Sequence, residues 1–230
     1  MRSLLRFRLL GFPIQADPSA VVILGLLVLM QQGTLYGTYR GLVVGLTLFF
    51  SILVHELGHA WVARSMSLGP VDIHLHGFGG LTRFARRPSN RQGVLVSLAG
   101  PAAGLALGFM ALGAQAWLPL GGVGSTVGGI VSAGGVPPYS AFFWDDLLGS
   151  LIWINLFWSV FNLLPIYPLD GGQVLWHALS LRLGAARARH ITRRCSVSLA
   201  LLIGLGALVQ QRIFLALVCF FILRQNQRRD

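Results

Sequence analysis

The sequence contains no lysine, a single glutamate and only two cysteines among its 230 residues. Its net charge of +11 comes from eighteen arginines against seven acidic residues. A nucleic-acid-binding domain would gather such charge on one stripe or patch, whereas these arginines cluster at the ends of apolar segments. We therefore expect no nucleic-acid partner. Cys195 and Cys219 lie in apolar runs, where we expect them to be packing residues.

Charge is scarce and apolar residues are abundant. Hydrophobic residues make up 54% of the chain, charged residues 11%, and the mean hydropathy is +0.69, which is outside the range of soluble domains. The fold class predicted is an α-helical polytopic membrane protein, embedded in the lipid bilayer as one domain over residues 1–230. Its apolar runs predict about six transmembrane helices, near 18–32, 41–63, 93–118, 147–164, 195–210 and 213–224.

The arginines also predict the orientation of these spans. With the N-terminus in the cytoplasm, sixteen of the eighteen arginines face the cytoplasm, and only Arg40 and Arg212 lie outside. Both termini are then cytoplasmic, and loop 119–146, with its glycine-rich part 121–135, is external. A cleaved signal peptide is the alternative for residues 1–30. The interruption at residues 12–18 and the lack of a small-residue cleavage site favour a retained first span.

One short motif carries the clearest chemistry. Residues 55–59 read His55-Glu56-Leu57-Gly58-His59, inside the apolar stretch 41–63. Histidines at i and i+4 project from one face of a helix and can hold a divalent metal, and the glutamate between them can act as general base on a water molecule. Ionisable groups at membrane depth are costly, which favours a functional role. The motif therefore predicts hydrolytic zinc chemistry inside a bilayer.

Catalytic zinc usually has three protein ligands, so a third is expected elsewhere. It cannot be a second glutamate, because Glu56 is the only one, and position 65, six residues after His59, is Ser65. Asp170 is the best remaining candidate: it follows Pro165 and Pro168, which break a helix in an apolar region, and irregular backbone at that depth must be buried or line a cavity. The other aspartates can all be placed at interfaces or in loops.

Several alternatives stay open at this point. Asp170 could instead cap a helix after the proline break, and Asn162 could satisfy backbone carbonyls rather than contact a substrate. The four histidines outside the motif are expected at interfaces or in polar loops rather than at a metal: His74, His76, His177 and His190. At the level of function, the rivals are a membrane transporter, which would also place ionisable groups in broken helices, and a metal-binding scaffold without catalysis.

Five segments in this order resemble the site-2 protease family of intramembrane zinc metalloproteases, from about residue 11 to 180. They are a strand before the first span (11–18), the zinc helix (55–60), a glycine-rich membrane-dipping hairpin (76–80), a helix start (99–101) and the motif supplying the third ligand (162–172). We expect the chain to have no room for the PDZ or CBS domains of some members. It therefore resembles the compact, core-only type, in which loops or a regulatory membrane partner would control access.

This resemblance implies cleavage of a peptide bond within or beside the transmembrane segment of a single-span membrane-protein substrate. It assigns one zinc ion per chain to His55, His59 and Asp170, and makes Glu56 the catalytic base. Asn162, Gly79 and Gly80 become candidates for substrate binding or oxyanion stabilisation. The stretch 73–84 is expected to form a hairpin whose free edge pairs with the unwound substrate. A bacterial or archaeal cell membrane is the expected location.

Overall fold

The computed structural model describes residues 5–29, 35–77, 79–117 and 139–227. The predicted glycine-rich loop 121–135 lies outside these residues. The strands are β1 (Leu5–Leu9), β2 (Phe12–Ala16), β3 (Val71–His76) and β4 (Gly79–Phe84). The helices are α1 (Pro18–Leu29), α2 (Leu35–Ser65), α3 (Asn90–Trp117), α4 (Tyr139–Asn162), α5 (Asp170–Leu183), α6 (Ala185–Val209) and α7 (Ile213–Gln227).

The chain is an integral membrane protein that is mostly helical and carries a small sheet. Within the described residues, α2, α3 and α6 are long and apolar enough to cross a membrane. The prediction of six spans is therefore supported only in part. Helix α1 has 12 described residues and α7 has 15, against the ~20 that a spanning helix needs. Helix α4 has 24 residues but carries Asp145, Asp146 and two asparagines.

Helix boundaries differ from the apolar runs because helices continue through polar residues. Helix α6 begins at Ala185, ten residues before the predicted span, and includes the arginines that we assigned to a loop. Arginine is a good helix former, so charge marks the end of a buried segment rather than the end of a helix. Helix α5 was not predicted as a separate helix, since its fourteen residues follow directly on the proline-rich break.

The four strands form one sheet in the order β1-β2-β3-β4. The hairpin β3–β4 confirms the predicted hairpin, with His76 paired to Gly79. Strand β3 also pairs in parallel with β2, through Ile14 and Ile73, so β3 is an interior strand. Of the two hairpin strands, β4 is therefore the one that lies at a sheet edge among the described residues. Strand β1, which we did not predict, forms the opposite edge and is exposed along its whole length.

One face of the sheet packs on α2. Alternate residues of β2 and β3, including Phe12, Ile14, Ile73 and Leu75, are buried against α2 residues such as Ala60 in one hydrophobic cluster. This is the period-two pattern of a sheet with one covered face. The sheet thus lies against the half of α2 that carries the histidine motif. Helix α3 contacts α2, α4 and α5, and so lies at the centre of the helical part.

Candidate metal and catalytic site

Helix α2 brings both motif histidines to one buried position. His55 and His59 are one helical turn apart, and their Nε2 atoms lie 3.1 Å from each other. Both side chains are buried, as is that of Glu56. The helical spacing predicted from the sequence therefore produces the expected convergence, with two imidazole nitrogens directed at one point.

Asp170 reaches the same point from the start of α5. Its Oδ2 atom lies 3.0 Å from His55 Nε2, across 115 residues of sequence, and its Oδ1 atom lies 3.4 Å from His59 Nε2. The helix-capping alternative for this residue does not describe the structure, because the carboxylate contacts the two histidines. The proline break at 165–168 turns the chain so that the first residue of α5 faces α2.

Backbone contacts hold the segment before Asp170. The Ser196 hydroxyl of α6 accepts a hydrogen bond from the Tyr167 N–H at 2.8 Å, and the Asn226 amide of α7 donates to the Tyr167 carbonyl at 2.7 Å. Ile166 is buried in a cluster with Ala200 and Ile222 of the same two helices. Irregular backbone at this depth needs such partners, since water cannot supply them. Helices α6 and α7 therefore help to fix the position of Asp170.

Helix α3 orients and encloses the histidines. His59 Nδ1 lies 2.7 Å from the Val96 carbonyl, so this nitrogen carries the proton and donates it, leaving the Nε2 lone pair free to bind a metal. Gly100 lies directly beside the same nitrogen: a Cβ there would be 2.2 Å from His59 Nε2 and 2.8 Å from His55 Nε2. Only glycine leaves the space in which a bound ion would lie.

The three groups fit a zinc ion. Zinc binds imidazole nitrogen and carboxylate oxygen at about 2.0–2.2 Å, which places the ligand atoms of a tetrahedral site roughly 3.3 Å apart. The observed separations of 3.0, 3.1 and 3.4 Å agree with that value. Three protein ligands also leave one position open, as catalytic zinc requires. His55, His59 and Asp170 are a candidate zinc-binding group, all of them buried.

The Glu56 side chain contacts strand β4. The Thr82 hydroxyl donates to Glu56 Oε2 at 2.6 Å and also lies 3.1 Å from the Glu56 carbonyl. Gly80, on the same face of β4, leaves the room for this side chain: a Cβ there would be 2.2 Å from Glu56 Cγ. Gly80 thus lies against the Glu56 side chain, its predicted role in substrate or oxyanion binding stays a prediction, and Thr82 was not predicted. Its position two residues after Gly80 in an alternating strand was the available signal.

For the other two candidates, Gly79 and Asn162, the described residues show local backbone features rather than a contact with the zinc-binding group. Gly79 has φ +137°, in the region that favours glycine, and no atom lies within 4 Å of the place where its Cβ would be. Asn162 is buried, and its amide donates to the Trp158 carbonyl of its own helix at 2.9 Å. The alternative that Asn162 satisfies a backbone carbonyl therefore describes what the structure shows.

His177 differs from the expectation of an interface or polar loop. It is buried on α5, with Nδ1 3.2 Å from Asn90 Oδ1 and its ring packed on Gly93. Burial lowers the pKa of His177, which keeps the imidazole neutral. His74 pairs with Asp72 in the sheet at 2.7 Å. Neither belongs to the zinc-binding group.

Fold and site together define a class: an integral membrane protein with a buried pair of histidines, an aspartate suited to zinc and an adjacent glutamate. Comparison with known proteins agrees. The pattern of peptidase family M50 matches residues 43–120 and 122–205, and the chain belongs to this family. The resemblance to site-2 proteases predicted from the sequence is thereby confirmed.

Individual relatives show the same family relationship. A zinc metalloprotease of Methanocaldococcus jannaschii is 28% identical over 216 residues, covering 94% of this chain and 57% of its own length. Rip3 of Mycobacterium tuberculosis is 32% identical, covering 94% of this chain and 55% of Rip3. The solved site-2 protease from Methanocaldococcus jannaschii has a TM-score of 0.64 at 26% identity, covering 97% of this chain and 94% of that one. The chain spans about half the length of the curated relatives it matches.

Proposed function

We propose that this protein is an intramembrane zinc metalloprotease, which cleaves a peptide bond within or near the transmembrane segment of a membrane-protein substrate. One observation carries the proposal. His55 and His59 form a buried zinc-binding group with Asp170, and Glu56 lies next to His55 on a helix that is long enough to cross a bilayer. A soluble metallopeptidase would not need this setting. A transporter would not need a glutamate placed between the two histidines.

The proposed roles follow from the donor set. His55, His59 and Asp170 hold the ion, which when bound supplies Lewis-acid activation of a water molecule and of the scissile carbonyl. Glu56 accepts the proton of the attacking water and returns it to the leaving amine. Asn162 would have to release the Trp158 carbonyl before it could donate to the developing oxyanion.

The site is proposed to lie towards the cytoplasmic side of the bilayer. From His55 to Arg64 is nine residues of helix, so the histidine lies roughly 13 Å inside the boundary marked by the arginine. Arg64 contacts the Leu10 carbonyl and stacks on Phe12 of the sheet, 3.9 Å from the ring centroid. Six spans with both termini in the cytoplasm of a bacterial or archaeal cell remain part of this proposal, supported by the distribution of arginine.

A transmembrane helix must unwind before it can be cut, because its backbone groups are hydrogen-bonded internally. Each unpaired group in hydrocarbon costs several kcal/mol, so the unwound segment needs partners at once. Strand β4 can supply them, since it is a sheet edge among the described residues and faces Glu56. Pairing through the backbone alone would accept single-span substrates of varied sequence, and a regulatory membrane partner could control their access.

The register shows which β4 groups reach that edge. The Leu75 carbonyl accepts a hydrogen bond from the Asp17 N–H, so Leu75 faces β2, and its neighbours His74 and His76 face β4. Leu81 pairs with His74, and its backbone is used inside the sheet. The backbones of Gly80 and Thr82 therefore point outward. Positions 73 and 75 face β2 and position 81 faces β3, so a proline at any of these three positions would not remove an edge N–H group.

The test is proteolysis in a reconstituted membrane. Purified protein in vesicles, loaded with zinc, should cleave single-span test substrates, and Glu56→Gln should abolish cleavage while retaining zinc and fold, because an amide cannot accept the proton. Arg83→Gln, on the exposed part of β4, serves as a matched control that should cleave normally. Cleavage by Glu56→Gln at the wild-type rate would contradict the mechanism.

A further inference from the structure

Strand β4 makes two contacts with Glu56 that the motif did not predict. The Thr82 hydroxyl donates to Glu56 Oε2 at 2.6 Å, and Gly80 lies against Glu56 Cγ, where no Cβ would fit. We propose that Thr82 is a positioning residue, which with Gly80 holds the Glu56 carboxylate in its working orientation and sets the substrate register on β4. The inference rests on the proposed proteolytic function and names the contacts that orient its catalytic base.

The hydrogen bond is of a kind that can hold a carboxylate in place. A separation of 2.6 Å is typical of a hydroxyl donating to a charged carboxylate, which is a stronger bond than one between neutral groups. The same hydroxyl lies 3.1 Å from the Glu56 carbonyl, so its hydrogen is shared between the side chain and the backbone of one residue. Threonine is also stiff at χ1, which limits the positions that the hydroxyl can take.

Gly80 confines the same side chain sterically. A Cβ at this position would lie 2.2 Å from Glu56 Cγ and 2.6 Å from both Cδ and Oε1. The glutamate therefore packs directly on the backbone of β4, with Thr82 bound to Oε2. This leaves Oε1 of the same carboxylate as the oxygen that can accept a proton from water.

These contacts link the base to the edge that is proposed to bind substrate. Gly80 and Thr82 direct their backbone groups outward, and the same two residues bracket Glu56 on the covered face. A substrate strand paired there would have its residues opposite Gly80 and Thr82 beside the base. A register shift of two residues would move the scissile bond by about 7 Å, beyond the reach of Glu56. Strand β4 would therefore select which peptide bond is cut.

A purely structural role for Thr82 makes a different prediction. If the hydroxyl only satisfied the Glu56 carbonyl, its loss would lower stability and the amount of folded protein, while each folded molecule would turn over substrate at the usual rate. A positioning role lowers kcat in folded, zinc-loaded protein. It leaves KM nearly unchanged, because substrate pairing uses the backbone of β4.

The experiment compares Thr82→Val and Thr82→Ser with the matched control Thr47→Val. Valine keeps the β-branched shape without the hydroxyl, and serine restores the hydroxyl. Thr47 is buried in α2, and its hydroxyl has no hydrogen-bond partner among the described residues. We expect Thr82→Val to lower kcat about tenfold or more with KM within about twofold, with zinc content retained. Thr82→Ser should recover most of the rate, and Thr47→Val should match wild type.

The inference is overturned if kcat of Thr82→Val stays within about twofold of wild type, or if serine fails to restore a lost rate. A thermal double-mutant cycle provides a readout that needs no activity. Thr82→Val should lower Tm more in the wild-type background than in the Glu56→Ala background, where only the backbone carbonyl of residue 56 remains as a partner. Equal Tm losses in both backgrounds would show that Thr82 does not interact with the Glu56 carboxylate. If the Tm cycle shows coupling between Thr82 and Glu56 but the wild-type protein cleaves no test substrate, the proposed function is refuted and the contact is not.

Discussion

Asn226, near the end of the last described helix, donates its amide to the carbonyl of Tyr167, a residue 59 positions earlier in the chain. Tyr167 precedes Asp170 by three residues. The C-terminal helix thereby fixes the backbone that presents the third member of the zinc-binding group. A contact that looks like ordinary helix packing thus has a direct consequence for the metal site.

Asn226→Ala should weaken zinc binding as well as stability. The change removes the hydrogen bond from Asn226 to the half-buried Tyr167 carbonyl, which costs about 0.5–1.5 kcal/mol, and allows the segment before Asp170 to move. Zinc affinity, measured by competition with a chelator, should fall, and Ser196→Ala should act in the same direction. The control is Ser180→Ala, whose buried hydroxyl donates within its own helix to the Trp176 carbonyl. Unchanged zinc affinity in Asn226→Ala would show that α7 does not position Asp170.

Gly100→Ala should block metal binding with little effect on helix formation. The added methyl group would lie 2.2 Å from His59 Nε2, in the space beside the ligand atoms. Alanine favours a helix more than glycine, so any loss is due to the site. Zinc affinity should fall by about tenfold to 100-fold. Gly113→Ala in the same helix, with no atom within 4 Å of its Cβ position, should bind zinc as wild type does. Equal zinc affinity in the two variants would contradict the position assigned to the ion.

The edge-strand proposal can be tested by disulfide trapping. Leu81 is 46% exposed on β4, and directly paired residues of an added strand would bring their Cβ atoms within about 4.5–5.5 Å. In a Glu56→Gln background with Cys195 and Cys219 replaced by serine, Leu81→Cys should crosslink to single-cysteine substrates. The yield should alternate along the substrate with a period of two.

Phe7→Cys is the matched control for that experiment. Phe7 is 41% exposed on β1, at the opposite edge of the same sheet. It should give no more than background crosslinking. Equal trapping at both edges, or a yield that does not alternate with substrate position, would mean that β4 is not the docking strand.

The orientation of the chain in the membrane can be tested by labelling tags in intact cells. Because sixteen of eighteen arginines lie on one side of the proposed spans, tags at both ends of this chain should be reachable only from the cytoplasm. A tag within residues 119–138 should be reachable only from outside. External labelling of the C-terminal tag would remove one of the shorter proposed spans, α1 or α7.

The features that could be predicted from the sequence are mostly those determined by residues close to one another in the chain. The two histidines and Glu56 were predictable because a helical spacing of four residues determines their geometry. Asp170 was predictable by elimination, since no second glutamate exists and the prolines leave that aspartate at depth. The hairpin was predictable from its glycines. In each case, residues near one another in the chain carried the information.

The remaining features arise from contacts between distant segments. The parallel pairing of β2 with β3, which makes Ile73 an interior residue, leaves no mark in the local pattern of either strand. The Val96 carbonyl that orients His59 is a backbone group, and any residue type could supply it. Thr82 and Asn226 act through residues far away in sequence. Such contacts become visible only when the chain is folded.

The most direct test of the account is the zinc content of two aspartate variants. Asp170→Ala removes the carboxylate that lies 3.0 Å from His55 Nε2, whereas Asp72→Ala removes one that pairs with His74 in the sheet. Purified in parallel and analysed by mass spectrometry for metal per chain, wild type and Asp72→Ala should contain one zinc ion, and Asp170→Ala should have lost most of it. Full zinc occupancy in Asp170→Ala would contradict the assignment of the three-residue site.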